Sequence, residues 1–157
     1  MEPRNIKTQT NMYTLRSARK EDEWAIRGLI YRARLNPLGL DWRRFLVAVD
    51  ENGLVLGCGQ IKPHGDGTQE LASIVVKKEY RGQGIGQAVI CQLLAENKGV
   101  LYLTCRSTLG PYYSRFGFQP FTPDNTTPYF QRLQKLAVFA RWVFLVKENM
   151  LIMRREA

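Results

Sequence analysis

The feature that most constrains the fold is a glycine-rich segment between an apolar run and an amphipathic one. Residues 74–80 read Ile-Val-Val-Lys-Lys-Glu-Tyr, and residues 81–86 continue as Arg-Gly-Gln-Gly-Ile-Gly. β-Branched residues are typical of a strand, whereas apolar residues at helix spacing follow the glycines. The sequence therefore predicts a strand that passes through a short glycine loop into a helix over residues 84–97.

Such a loop has the properties of an anion-binding site. Glycines let the backbone turn sharply, and the start of a helix offers unpaired N–H groups and a positive dipole end. A turn whose glycines serve only close packing is the alternative. A Walker loop is excluded because no Gly-Lys-Ser/Thr sequence follows. The dinucleotide fingerprint also fails, since Gln87 stands where its third glycine would be.

Apolar periodicity predicts alternating strands and helices along the rest of the chain. No repeat, linker or low-complexity tract interrupts this order, so one α/β domain with a mixed sheet is expected over residues 1–157. The predicted strands cover residues 12–18, 45–49, 54–62, 70–76, 100–105, 118–121 and 150–154, and the helices cover 21–34, 84–97, 109–116 and 128–143.

The composition indicates an ordinary globular protein, with 45% hydrophobic and 24% charged residues. The first residues are polar and unlike a signal peptide, and the longest apolar run, 136–146, is too short to cross a bilayer. Cys58, Cys91, Cys105 and the single histidine, His64, form no metal-ligand or disulfide pattern. We therefore expect a cytoplasmic protein with no metal and no membrane association, and interpret His64 as a loop residue.

The formal net charge of +9 calls for an explanation. The basic residues are spread along the chain rather than gathered in one arm, so nucleic acid is an unlikely partner. An anionic small ligand would also benefit from this charge.

Two motifs resemble those of the GNAT N-acetyltransferases. Residues 81–86 match the family's Arg/Gln-x-x-Gly-x-Gly/Ala signature, and residues 113–118, Tyr-Ser-Arg-Phe-Gly-Phe, are similar to its Tyr-x-x-x-Gly-Phe. The resemblance covers about residues 45–121 and is weak outside them. It implies an enzyme with the GNAT fold, in which one mixed, centrally splayed β-sheet is flanked by helices, and acetyl-CoA as co-substrate.

The resemblance also implies where acetyl-CoA binds. In that family it lies where two central parallel strands part, which here would be 70–76 and 100–105. The first strand's main chain would hold the pantetheine arm and the glycine loop would hold the pyrophosphate. A strand amide, that of Val75 or Val76, would meet the oxyanion. The implied cofactor-binding residues are Ile74, Val75, Val76, Arg81, Gly82, Gln83, Gly84, Ile85 and Gly86.

A base is needed because amines are protonated at neutral pH, and the reaction implied is direct attack of a free amine on the thioester. Glu70 occupies a position where several family members carry a glutamate base. It lies six residues before Val76, and strand alternation puts it on the predicted face of Ile74 and Val76. The alternatives are a strand-end glutamate that faces solvent and a relay of waters. Asp66, in the neighbouring turn, is a poorer candidate.

The departing thiolate needs a proton or a hydrogen bond. Tyr113 matches the family's tyrosine acid by its spacing to Gly117 and Phe118, and a phenol can donate to a thiolate. The alternative is a tyrosine that only packs, and the adjacent Tyr112 is the residue most easily confused with it.

Arg106 departs from the family pattern, which often has asparagine seven residues before the tyrosine. Residues 103–106, Leu-Thr-Cys-Arg, instead look like the Leu-Thr-x-Arg segment of amino-acid N-acetyltransferases, such as glutamate acetylators. Arg106 could hold a substrate carboxylate bidentately, bind a CoA phosphate or face solvent.

The predicted acceptor is a small-molecule amine such as an amino acid. A protein N-terminal or lysine acetyltransferase and a non-catalytic acyl-CoA-binding or nucleic-acid-binding module remain as alternatives. The apolar segment 128–146 is interpreted as core packing, with a homodimer contact or a pocket wall as alternatives.

Overall fold

The computed structural model describes residues 13–121, 128–129, 131–132 and 149–156. Its strands and α-helices lie within two residues of the predicted bounds, apart from the helix predicted over 128–143. That helix lies outside the described residues beyond its first turn, where 128–129 and 131–132 are helical. The elements are β1 (Thr14–Ser17), α1 (Glu23–Arg32), β2 (Phe45–Val49), β3 (Val55–Pro63), β4 (Gln69–Val76), α2 (Ile85–Glu96), β5 (Leu101–Arg106), α3 (Gly110–Ser114), β6 (Gln119–Pro120) and β7 (Met150–Arg155).

The strands form one mixed sheet in the order β1-β2-β3-β4-β5-β7-β6. The pairs β1–β2, β2–β3, β5–β7 and β6–β7 are antiparallel, whereas β4 and β5 run parallel. The parallel pair joins Glu70 to Tyr102, near the start of each strand. The predicted α/β fold with a mixed sheet is confirmed.

The described residues fall into two compact units. The first comprises residues up to Ile61 together with Ala72–Asn97, and the second comprises Lys62–Leu71 together with residues from Lys98 onward. The core of the first unit forms because α1 buries Ile26, Leu29 and Ile30, which helix spacing places on one face.

Two glycines of β3 allow α2 to pack closely against the sheet in the first unit. A Cβ added at Gly59 would lie 2.9 Å from a methyl carbon of Val89, and one added at Gly57 would lie 3.1 Å from a methyl carbon of Ile85. Real Cβ contacts are rarely so short, and the interior is close-packed. The first turn of α2, and with it the glycine loop, is therefore held against β3.

Candidate active site

The glycine loop has a backbone that only glycine adopts readily. Gly82 has φ 77° and Gly84 has φ 80°, both in the left-handed region. A Cβ added at either glycine would meet no atom of the described residues within 4 Å. The glycines are thus required by the backbone turn, and the interpretation that they serve close packing is wrong for both. The open space beside them lets a ligand approach the main chain.

Helix α2 begins directly after this turn, with Gly84 as its N-cap. The Gly84 carbonyl accepts the first helical hydrogen bond, from Ala88 N–H at 3.0 Å. The N–H groups of Ile85 and Gly86 belong to the first turn, where no intrahelical acceptor exists. They lie at the positive end of the helix dipole, which favours an anion there.

Arg81 ties the loop to the end of β4. Its Nε donates to the carbonyl oxygen of Val76 at 3.1 Å, and the Lys77 N–H donates to the Leu56 carbonyl of β3 at 2.7 Å. The Gln83 side chain is exposed. Residues 81–86 therefore form one anchored, open loop that presents main-chain N–H groups and a guanidinium.

The strand that leads into the loop contains a bulge at Ser73, which has φ 58°. Between the His64 N–H to Thr68 carbonyl bond and the Lys77 N–H to Leu56 carbonyl bond, β4 carries one residue more than β3. The buried Gln60 secures the bulge, because its Nε2 donates to Ser73 Oγ at 3.0 Å.

The bulge corrects one sequence argument. A two-residue alternation that placed Glu70 on the face of Ile74 and Val76 does not continue through a left-handed residue. The Ile74 side chain lies beside Gly59 with Val89 of α2, whereas Val75 is buried in the cluster that contains α1. Both side chains therefore pack within the first unit.

Glu70 is buried among polar partners, all in the second unit. Its Oε2 lies 2.7 Å from His64 Nε2, and each of the two side chains is 8% exposed. Its Oε1 accepts a hydrogen bond from Thr104 Oγ1 at 3.3 Å. The interpretation of Glu70 as a solvent-facing glutamate is therefore wrong. His64 is a loop residue, as expected, since it follows the end of β3, and its ring is buried against Glu70.

Tyr129 completes this cluster. Its ring stacks on the His64 ring, with centroids 3.4 Å apart and planes 18° from parallel. Burial raises the pKa of Tyr129 to about 12, and the facing Glu70 carboxylate adds to the shift. The phenol therefore keeps its hydrogen at neutral pH. The sequence does not predict this position of Tyr129, because the residue lies in a largely apolar segment.

Asp66 shapes the turn beside the cluster. Its carboxylate accepts hydrogen bonds from Thr68 N–H at 2.9 Å and from Tyr129 N–H at 3.1 Å. The contact with Thr68 lowers the pKa of Asp66 to about 2. An exposed carboxylate of such low basicity suits a turn better than it suits a base.

Tyr113 and Tyr112 differ in their surroundings. Tyr113 is partly buried and meets Phe118 edge to face, with centroids 6.4 Å apart. Burial raises the pKa of Tyr113 well above its ordinary value, and Cys105 and Tyr112 add to the shift. Tyr112 instead packs against Arg115, whose guanidinium carbon lies 5.3 Å from the centroid of the Tyr112 ring.

Arg106 is the exposed last residue of β5, where it pairs with Met150 of β7.

The described residues hold no cluster of three His, Cys, Asp or Glu suited to a metal. Across the same part of the chain, no helix is long and apolar enough to span a membrane.

The family model described as an acetyltransferase (GNAT) domain matches residues 41–120. No protein of curated function matches the chain in sequence.

Several solved structures share the fold. N-acetylglutamate synthase from Neisseria gonorrhoeae, complexed with coenzyme A and L-arginine, superposes with a TM-score of 0.71 at 16% identity, over 95% of this chain and 34% of that one. Rv2747 from Mycobacterium tuberculosis, in complex with CoA and NLQ, gives 0.69 at 20% identity, over 91% and 98%. A GNAT-family acetyltransferase from Staphylococcus aureus Mu50 gives 0.64 at 13% identity, over 92% and 98%. The chain thus spans about a third of the synthase's length, and identities this low show the fold alone.

Proposed function

We propose an N-acetyltransferase activity for this chain, which belongs to the GNAT acetyltransferase family. The acetyl donor is acetyl-CoA, and the acceptor is the amine of a small molecule that also carries a carboxylate, as an amino acid does. The observation that carries the proposal is the open glycine loop at the start of α2. Its left-handed Gly82 and Gly84 and its first-turn N–H groups suit a pyrophosphate.

The chain's residues fit acetyl-CoA, whose bound thioester supplies the carbonyl carbon that an amine attacks. Arg81, Gln83 and the N–H groups of Ile85 and Gly86 hold the phosphates. The main chain of residues 74–76 holds the pantetheine arm. A main-chain N–H of Val75 or Val76 stabilises the charge that develops on the carbonyl oxygen.

Glu70 accepts the proton that the acceptor's ammonium group must lose. Its burial supports this role, since a buried carboxylate with hydrogen-bonding partners is held in one place. Tyr113 donates a hydrogen bond to the departing thiolate. Its raised pKa supports this, because the phenol remains protonated over the whole neutral range.

The preference for an amino acid rests on Arg106, which a carboxylate can engage through two parallel hydrogen bonds. Likeness to the fold of N-acetylglutamate synthase is in keeping with this class of acceptor. A polyamine is a poor fit, because a chain of formal net charge +9 repels a polycation.

The test is a CoA-release assay with L-glutamate, other amino acids, spermidine and a peptide with a free amino terminus. We expect release with an amino acid and little with spermidine. Arg106→Ala should raise the acceptor KM on the order of 10–100-fold, with the acetyl-CoA KM unchanged. This rise corresponds to the free energy of about 1.5–3 kcal/mol that a charge-assisted pair contributes. Arg32→Ala, which removes an exposed positive charge from α1, is the matched control.

Other results would redirect the proposal. Efficient acetylation of spermidine contradicts an amino-acid acceptor, and turnover of the peptide alone favours a protein acetyltransferase. A rise in the acetyl-CoA KM of Arg106→Ala would assign this residue to the donor. Acetyl-CoA binding without release for any acceptor would leave a non-catalytic module.

A further inference from the structure

The buried imidazole of His64 has no role in the activity proposed above. It is the chain's single histidine, and it lies against the residue assigned as base. We propose that His64 is a positioning residue for the base: it fixes the Glu70 carboxylate and shares the proton that this carboxylate takes from the acceptor. The inference rests on the proposed function, and in particular on Glu70 as base.

The contacts fix the carboxylate at both oxygens. The distance of 2.7 Å between His64 Nε2 and Glu70 Oε2 is at the short end of the range for charge-assisted hydrogen bonds. Thr104, from β5, donates to the other oxygen at 3.3 Å. Rotation of the carboxylate would break both contacts, so Glu70 is held in one orientation.

The imidazole is fixed in turn. Tyr129 covers one face of the ring at 3.4 Å, and its own N–H is held by the Asp66 carboxylate at 3.1 Å. The side chains of His64 and Glu70 are each 8% exposed, so water competes little for their contact. A buried pair held on several sides is expected to behave as one unit.

The protons of the pair can be counted. An ionised Glu70 oxygen 2.7 Å from Nε2 requires a hydrogen on that nitrogen, since otherwise two lone pairs would face each other. When an N–H bond of the ammonium breaks, its electron pair stays on the nitrogen and the proton joins the Glu70–His64 pair. The pair then holds two protons and no net charge, whichever member carries the second. Solvent later removes one proton, and no oxidant or reductant takes part.

The titratable groups around His64 come from each element of the cluster. Glu70 faces it from β4, Tyr129 from the segment that begins at Pro128, and Asp66 from its own turn. Thr104 of β5 adds an uncharged hydroxyl to the Glu70 side. The Tyr129 phenol keeps its hydrogen at neutral pH and Asp66 stays ionised, so Glu70 and His64 are the members left to exchange a proton there.

The variant His64→Gln distinguishes two roles of His64, fixing the Glu70 carboxylate and sharing its proton. A glutamine amide can still donate to Glu70 but cannot take up a proton. CoA release is measured against pH with acetyl-CoA and the amino acid that the acceptor assay finds to be turned over fastest. We expect a fall in kcat of about tenfold or more, and an unchanged acetyl-CoA KM. The acid limb of kcat/KM should also differ from that of the wild type, because the variant has lost one of the two groups that share the proton.

Controls keep the two proposals apart. Glu51→Gln, in the exposed turn between β2 and β3, should match the wild type. Loss of activity in Glu70→Gln with a wild-type rate and acid limb in His64→Gln overturns the role of His64 alone. Full activity of Glu70→Gln overturns the base assignment, and absence of turnover in the wild type overturns the proposed function.

A measurement on the wild type needs no variant. Because the chain has a single histidine, all imidazole ¹⁵N resonances of protein labelled with ¹⁵N-histidine come from His64. At pH 7.5 we expect a hydrogen on His64 Nε2 that is hydrogen-bonded to the Glu70 carboxylate. A neutral ring with its hydrogen only on Nδ1 would overturn the pairing.

Discussion

At the scale of single residues, two adjacent tyrosines show how surroundings separate roles that sequence spacing only suggests. Tyr113 sits against Phe118, which is fully buried, and its pKa is raised chiefly by burial. A thiol in water has a pKa of about 8.5, so a thiolate takes a proton from such a phenol only against a free-energy difference. Tyr113 is therefore better suited to a hydrogen bond with the thiolate than to full proton transfer.

Tyr113→Phe would remove the proposed hydrogen bond to the thiolate while the ring remains. We expect kcat to fall about 10²-fold, equivalent to about 2.7 kcal/mol of transition-state stabilisation, with little change in the acetyl-CoA KM. Tyr112→Phe is the matched control, since Tyr112 packs against Arg115 and Phe116, and it should change kcat less than about threefold. A larger loss of kcat in Tyr112→Phe than in Tyr113→Phe would mean that Tyr112, and not Tyr113, is the donor. Steady-state CoA release measures both variants.

The sequence indicates Glu70 as a candidate base but does not predict which side chains surround it. His64 meets Glu70 because a tight turn returns the chain within a few residues, and Thr104 arrives from a strand that follows an intervening helix. Tyr129 comes from a segment whose apolar pattern hides its hydroxyl. Single-sequence periodicity reports which face of an element is apolar, but not which polar side chains from separate elements converge.

At the scale of elements, the sequence predicted the strands and helices well, because apolar periodicity and glycine punctuation carry that information. The bulge at Ser73 had no such signal. Serine is not a residue that marks a left-handed turn, and the hydrogen bond from Gln60 that secures it comes from the neighbouring strand. Side-chain alternation therefore cannot be extended along the strand past Ser73.

The junction between β4 and α2 supports a test of the loop by charge alone. Gly84→Asp and Gly84→Asn place side chains of equal size at φ 80°, a conformation that both residues tolerate better than most. The aspartate adds a negative charge at the first turn, where the pyrophosphate would lie. We expect acetyl-CoA to raise the melting temperature of the wild type and, less strongly, of Gly84→Asn, but not of Gly84→Asp.

The melting measurement has its own controls. Gly99→Asp adds the same charge after the end of α2, at a glycine with open space and no left-handed φ, and should keep the full shift. ATP should stabilise the wild type much less than acetyl-CoA does. Equal shifts in the Asp and Asn variants would mean that the loop's shape, and not its charge, governs binding, and equal stabilisation by ATP would overturn the choice of ligand.

At the scale of the whole molecule, the formal net charge of +9 attracts anionic ligands and repels cationic ones. Acetyl-CoA carries phosphates, so the positive field should attract it, whereas an amino acid with an uncharged side chain is a zwitterion with no net charge. The field extends about 30 Å at 0.01 M ionic strength and about 8 Å at 0.15 M. Spread-out positive charge, which argued against a nucleic-acid arm, is thus consistent with a small anionic co-substrate.

This difference in range predicts a salt effect on the donor alone. Between about 0.01 M and 0.15 M ionic strength, the acetyl-CoA KM should rise roughly three- to tenfold, while kcat and the KM of an amino acid with an uncharged side chain stay nearly constant. Lys78→Gln removes an exposed charge beside the glycine loop, so it should raise the acetyl-CoA KM at low salt and flatten its salt dependence. Lys20→Gln, an equal change of charge before α1, should do neither to the same degree. An acetyl-CoA KM that ignores salt would show that contacts within the loop, and not the charge of the molecule, bring the donor to its site.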